Sequence, residues 1–359
     1  MSKVPVAIVE CDSYNREKVD AAVRTAVGLL PEFTSSITPN MRVLFKVNLT
    51  WQLEDGRSIT THPSVVLAAA RLVQECGATV TLGEGSGWSA HPMWRKIRSL
   101  MFERLHGTMK GRKFHELEPL YDSLMSVKTV SELSRFTHPD THEPLVRVED
   151  LGIGSDIDVF SNAGIQDVAD ETGARLAFFD TEETVEIPSP TARYLATVPA
   201  CKSIAEADRI ISLCKIKTHD DAILTGGIKN FFGIVPTPVR GGFHSTSKFG
   251  GMINEMLVDV FSVVKPPPMV ISDAVVAIEG KGPIFGEERR MNLILASTDC
   301  VAHDAVMCAL TGKDPMEIPT VRLAHESGLG QGLLENIEVR GTPVEKVAQP
   351  DWKFSLNPE

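Results

Sequence analysis

The sequence predicts an α/β protein with two lobes, mainly parallel sheets and a central cleft, plus a helical insertion. Three observations predict it. Short runs rich in branched residues alternate with runs of helical periodicity, the pattern of a mainly parallel sheet. The length of 359 residues exceeds two domains at about 150 residues each. One stretch, 91–150, breaks the alternation: it is rich in charge and histidine and poor in strand signal.

The strands are expected over 6–9, 43–47, 79–82, 176–179, 209–213, 269–271, 293–295 and 337–339. The clearest helix is expected over 63–76. Pro63 suits the first helical position, where a missing N–H costs nothing. Val65, Val66, Ala69, Leu72 and Val73 recur at helical spacing, and Gly77 supplies a left-handed stop. A second helix is expected over 254–264, ended by the prolines at 266–268, and a third over 302–310, ended by Gly312. The segments are then an N-terminal α/β lobe over 1–90, the helical and loop-rich insertion over 91–150, a linking α/β segment over 151–207, and a C-terminal α/β lobe over 208–345.

Composition narrows the function classes. Thirty-six basic against forty-seven acidic residues give a net charge of −11, a poor starting point for nucleic acid, whose affinity rests on Lys and Arg at phosphates. Six cysteines, Cys11, Cys76, Cys201, Cys214, Cys300 and Cys308, form no C-x-x-C pair. A locally encoded zinc site or ferredoxin-type cluster is therefore not expected, and buried thiols in a reducing compartment are. The N-terminus shows no signal-peptide pattern, and no apolar window is long enough to span a membrane. The expected location is cytoplasmic.

The chemistry concentrates in 208–244. Lys215, Lys217 and His219 stand two apart after a strand-like run. On extended chain they share a side, and a row of cations at a strand end invites an anionic ligand. Thr225, Gly226 and Gly227 follow, with Lys229 and Asn230 beside them and His244 further on. Paired glycines let the backbone approach a ligand or take positive φ. A neutral imidazole can act as base, acid or metal ligand, and a desolvated Lys229 would serve as nucleophile or as anion anchor. Lys46, Asn48, His62, Glu84 and Ser86 are expected to line the opposite wall of the cleft. Asp273 and Glu279 form a second candidate site, two carboxylates suited to a divalent cation or to acid–base work. Asp299 reads as a helix cap. The histidines at 91, 106, 115, 138 and 142 are irregularly spaced and read as surface residues. Gly83-Glu84-Gly85-Ser86-Gly87 misses the last glycine of a dinucleotide loop, so NAD is not expected.

Several of these stretches resemble one family. Lys46-Val47-Asn48-Leu49, Thr61-His62-Pro63, Gly83-Glu84-Gly85-Ser86-Gly87, Lys215-Ile216-Lys217-Thr218-His219, Thr225-Gly226-Gly227-Ile228-Lys229-Asn230, Gly233-Ile234, Ser272-Asp273, Glu279-Gly280-Lys281-Gly282-Pro283 and Ala302-His303-Asp304-Ala305 occur in the order seen in the domain-of-unknown-function 362 family. Many of its members carry ferredoxin modules. This sequence carries none, so an iron–sulfur cluster is not implied, although an iron–sulfur protein partner is. A more local resemblance joins His219, Gly226-Gly227-Ile228-Lys229 and His244 to the nickel-pincer lactate racemase family. It implies Lys229 as cofactor tether, His244 as metal ligand, His219 as acid/base and His62 as a second acid/base. Asn230-Phe231-Phe232 departs from that family's pattern, so a pincer-type nickel cofactor is not expected.

The resulting expectation is an enzyme acting on a small oxygenated, anionic substrate by proton or hydride transfer at carbon, whether redox, isomerisation or epimerisation. His219, Lys229 and Glu279 are its expected catalytic groups, and His244 with Asp273 a metal site. The alternatives are a non-catalytic partner of an iron–sulfur electron-transfer protein and a small-anion-binding protein.

Overall fold

Among the described residues nine strands form one sheet, in the order β11-β1-β10-β9-β7-β2-β3-β4, with β8 pairing the end of β7. This computed structural model describes residues 3–49, 59–85, 137, 141–144, 159–179, 182–236, 239–240, 252–283 and 286–354. The strands are β1 (Val4–Glu10), β2 (Arg42–Val47), β3 (Thr79–Glu84), β4 (Arg175–Phe178), β5 (Thr184–Pro188), β6 (Thr197–Cys201), β7 (Arg209–His219), β8 (Ile223–Thr225), β9 (Met269–Glu279), β10 (Glu287–Ser297) and β11 (Ile337–Gly341). β5 and β6 make a separate antiparallel hairpin. Every strand expected from the sequence is present. Those at 209–213, 269–271 and 293–295 are the cores of eleven-residue strands.

Side chains alternate between two cores, as the two-residue period of a strand requires. Leu44, Ile210, Cys214 and Ile216 enter one; Val43, Phe45, Val47, Ile211 and Leu213 enter the other. Against the second face pack α1 (Arg16–Gly28), α3 (Pro63–Glu75) and α5 (Ile165–Thr172). The short α2 (Pro31–Ser35) follows α1 and α4 (Val159–Asn162) precedes α5. Against the first pack α7 (Gly227–Asn230), α8 (Ile253–Ser262), α9 (Cys300–Leu310) and α10 (Pro319–Glu326). Two short helices, α6 (Lys202–Glu206) and α11 (Val344–Val347), complete the set among the described residues. Two helix signals hold in detail. Pro63 opens α3 and Gly77 lies beyond its end at φ +80°. Asp299 caps α9 by accepting from Val301 N and Ala302 N.

The mixed α/β fold with a large, mainly parallel sheet is as expected, while the two-lobe arrangement and its cleft are not confirmed. β2, from the segment 1–90, lies parallel to β7, from 208–345, with Val43 opposite Arg209 and Val47 opposite Leu213. Strands from both segments therefore share one sheet. Most of the expected insertion lies outside the described residues. The consequential feature is order. Along β4-β3-β2-β7-β9 the chain winds outward from β2 to β4, then returns beside β2 and winds the other way. These five strands are parallel, and such a reversal opens a crevice at the carboxyl ends of its two central strands, here β2 and β7.

Candidate functional site

Lys46 stands two positions after Leu44 on the same face of β2, points to the α7 side of the sheet and is fully buried. Its ammonium donates to Glu84 Oε2 at 2.5 Å and to the carbonyl of Val47 at 2.6 Å. Glu84, at the end of β3, also accepts from Leu49 N and Gly85 N. Asn230, the last residue of α7, ties this pair to the sheet: its Nδ2 donates to Lys46 O at 2.7 Å and Ser212 Oγ at 3.0 Å. Its Oδ1 accepts from Asn48 Nδ2 at 3.2 Å. Asn48 Oδ1 in turn accepts from Lys217 Nζ at 2.9 Å, which also donates to Ile59 O at 3.0 Å. Burial drives the Lys46 amine below its ordinary 10.5 despite Glu84. Lys217 is driven well below it, by burial first and then by Lys229, Lys215 and Lys46.

Lys215 belongs to an adjoining knot. Its ammonium donates to Tyr14 Oη at 2.7 Å and Asp273 Oδ2 at 2.9 Å. Tyr14 donates to Asp273 Oδ1 at 2.8 Å, and Asp273 accepts further from His62 N and Val275 N. The His62 ring stacks on Tyr14 with centroids 3.8 Å apart. Its Nδ1 accepts from Ser64 N at 3.2 Å, which assigns the proton of the neutral ring to Nε2. Burial lowers the His62 pKa from 6.5, so that ring is neutral at pH 7. Lys215 is also lowered, burial outweighing Asp273.

Lys229 differs from the other three. It sits half-buried on α7, with Nζ 5.8 Å from the centroid of Phe232, and makes no hydrogen bond or ion pair among the described residues. Burial, aided by Arg240 and Lys46 and opposed by Asp221, brings its pKa down to about 8. Thr225 stands opposite Lys217 in the β7–β8 register. Its hydroxyl is buried without a hydrogen-bond partner among the described residues.

The glycine pair before Lys229 serves packing. A Cβ at Gly226 would lie 2.4 Å from Asp304 Oδ1. That carboxylate accepts from Gly227 N at 2.7 Å and Ile228 N at 3.0 Å, closing the start of α7. His303 bridges Asp304 Oδ1 at 2.7 Å and Ser272 Oγ at 2.8 Å. The expected ligand approach at Gly226 and Gly227 is thus taken by α9, and φ at Gly226 is −140°, not positive.

A family model for a domain of unknown function, DUF362, matches residues 43–137 and 126–309. The chain belongs to this family. A thylakoid-associated protein of Synechocystis sp. is 26% identical over 350 residues, covering 97% of this chain and 87% of the relative. The family's matched span contains the ends of β2, β3, β7 and β9 together with α7, so the lysine network lies within the DUF362 region.

In this DUF362 protein Lys46, Asn48, Glu84, Lys217 and Asn230 form one hydrogen-bonded chain, and Lys215, His62 and Asp273 form another. Glu279 joins neither: it accepts from Lys353 N and lies 3.7 Å from both Arg289 and Lys353, fastening the C-terminal segment to β9. His219 shapes the β7–β8 turn, its Nδ1 accepting from Asp221 N and Ala222 N. Ser86 and His244 lie outside the described residues. Among those described, no group of three metal-ligating side chains occurs, and Asp273 fits a cation poorly because both its oxygens already accept two hydrogen bonds. The six cysteines are free, five of them buried, and burial holds the thiols of Cys201, Cys214, Cys300 and Cys308 well above 9.0. No helix among the described residues is long and apolar enough to cross a membrane. Two contributors escaped the sequence reading. Tyr14 sits in a loop with no local motif. Gly233 lies against the ion pair, where a Cβ would fall 2.3 Å from Glu84 Oε1 and 2.6 Å from Lys46 Cε; its motif was visible, its purpose was not.

Proposed function

We propose that this chain is an enzyme that takes a small oxygenated anion at the carboxyl ends of β2 and β7 and moves a proton at one of its carbons. The observation that supports this is the burial of three lysines, Lys46, Lys215 and Lys217, at the point where the sheet reverses its winding. Two carboxylates among the described residues, Glu84 and Asp273, pair with Lys46 and Lys215. Burying several ammonium groups together is costly, and an anionic ligand offsets that cost. The unmatched Thr225 hydroxyl beside Lys217 offers it a further hydrogen bond. Lys229, near 8, and the neutral His62 ring have the proton affinities that general acid–base work needs near pH 7.

Because Lys229 lies near 8, an arriving anion should raise its protonation, and binding near pH 8 should take up protons. Incubating the protein in D2O with a panel of 2-hydroxy and 2-oxo carboxylates, and following loss of the carbon-bound proton by NMR, tests the reading. Exchange that disappears in Lys217→Met and Lys229→Met is expected. Binding without exchange would reduce the protein to an anion-binding module, and no binding of any member would refute the reading altogether.

A further inference from the structure

Among the buried and half-buried nucleophiles of the described residues, one is placed to react. The Ser272–His303–Asp304 chain has the connectivity of a hydrolytic triad, but all three residues are at most 3% exposed. Asp304 is also committed to the start of α7, so the triad positions that helix. The cysteine thiols at 201, 214, 300 and 308 are held in their protonated form. Lys229 remains. It is half-buried, and its Nζ makes no hydrogen bond or ion pair among the described residues, whereas Lys46, Lys215 and Lys217 each donate to two or more acceptors. Its backbone is fixed on both sides. Asp304 holds the two amides that open α7, and the neighbouring Asn230 is locked onto Lys46 O and Ser212 Oγ. The negative charge of Asp221 raises its proton affinity and the positive charges of Arg240 and Lys46 lower it; those two cations would also attract the carboxylate of a ligand brought alongside.

We propose that Lys229 forms a reversible imine with a small anionic carbonyl compound of the 2-oxo acid class. This rests on the anion-site reading above and names the substrate class for it. The neutral Lys229 amine attacks the carbonyl carbon, and the new C–N bond forms as the carbonyl pair moves to oxygen. A proton passes from nitrogen to that oxygen. A second proton, from solvent, lets the hydroxyl leave as water, giving a protonated C=N bond. Hydrolysis reverses each step, and no oxidant or reductant is consumed. The iminium charge stands next to the ligand's carboxylate and makes the adjacent C–H bond more acidic, which is how the attachment would serve proton transfer at carbon. An amine near 8 is partly neutral at physiological pH, whereas ordinary lysines near 10.4 are almost wholly charged. A desolvated lysine beside other cations is a recognised route to such a nucleophile.

The test uses the full chain at pH 7.5 with pyruvate and sodium cyanoborohydride, followed by peptide mass mapping. Mapping on the wild-type chain needs no variant. The expected result is a reduced pyruvate adduct on Lys229, accumulating on the order of tenfold or more faster than on the exposed Lys18 and Lys353. Oxamate, an isostere whose amide carbonyl amines do not attack, should slow it. Lys229→Arg and Lys229→Met should remove this adduct alone. Equal labelling of all lysines, or labelling of Lys229 that oxamate does not slow, would overturn the proposal. Calorimetric binding of oxamate with no adduct would overturn the imine and leave the anion site standing. Absence of both would overturn the two together.

Discussion

Replacing Glu84 by Gln removes the carboxylate that faces the buried Lys46 ammonium while keeping its shape. One oxygen of Glu84 takes Lys46 Nζ and Leu49 N; the other takes Gly85 N. A glutamine oxygen can hold the first pair of bonds, but its NH2 then meets the Gly85 N–H as donor against donor. The side chains of Lys46 and Glu84 are 0% and 4% exposed, so the loss is that of a broken buried pair, about 3–5 kcal/mol. Unfolding entropy of about 2.1 cal/mol/K per residue over 359 residues converts this to a fall in Tm of about 4–7 °C. The pH dependence has a definite sign. Lys46 is already lowered by burial, and Glu84 is the chief group raising it, so the variant's lysine falls further. A lysine depressed in the folded state binds fewer protons than in the unfolded chain. Stability therefore rises with pH through the window between the folded value and 10.5, and the Glu84→Gln deficit should narrow from pH 7 towards pH 10. Urea unfolding of both proteins across that range is the assay. A deficit below about 1 kcal/mol at pH 7, or one that does not change with pH, would refute the reasoning.

Three further outcomes follow from the same geometry. Gly233→Ala forces a methyl against Glu84 Oε1 and Lys46 Cε; a loss of about 1–3 kcal/mol is expected by denaturant titration, and a neutral result would mean that the 3-10 turn at 231–234 shifts freely. Asp304→Asn weakens the two bonds that open α7. It should cost about 1–3 kcal/mol and slow pyruvate labelling of Lys229 by displacing that residue, whereas unchanged labelling would free Lys229 from dependence on α9. His62 is held neutral, with its pKa below 6.5. Its contribution to stability is full above 6.5 and is lost as pH falls through the folded value, so His62→Gln should flatten the acid limb of the stability profile, measured by thermal unfolding between pH 7 and pH 4.

How much of this could be read in the chain depends on range. Periodicity found the strands and α3, because a two-residue or 3.6-residue repeat is a local signal. It also singled out Lys215 and Lys217, which both lie buried in the carboxyl-terminal half of β7. What it could not supply was partners. Tyr14 meets Asp273 across 259 positions, and Lys46 meets Asn230 across 184. The sharing of one sheet by β2 and β7 was hidden for the same reason: the register of 43–47 against 209–213 is set by pairing between distant segments. Gly226 shows the converse error. The residue type correctly announced a close approach, but the approaching group is a carboxylate of α9 rather than a ligand.

The central claim is that buried amines at the carboxyl ends of β2 and β7 constitute an anion site. Isothermal titration of oxamate at pH 8, repeated in two buffers of different ionisation enthalpy, tests it most directly. The account predicts binding accompanied by proton uptake, and its loss in Lys217→Met with the fold retained. Equal binding by both proteins, or by neither, would contradict it.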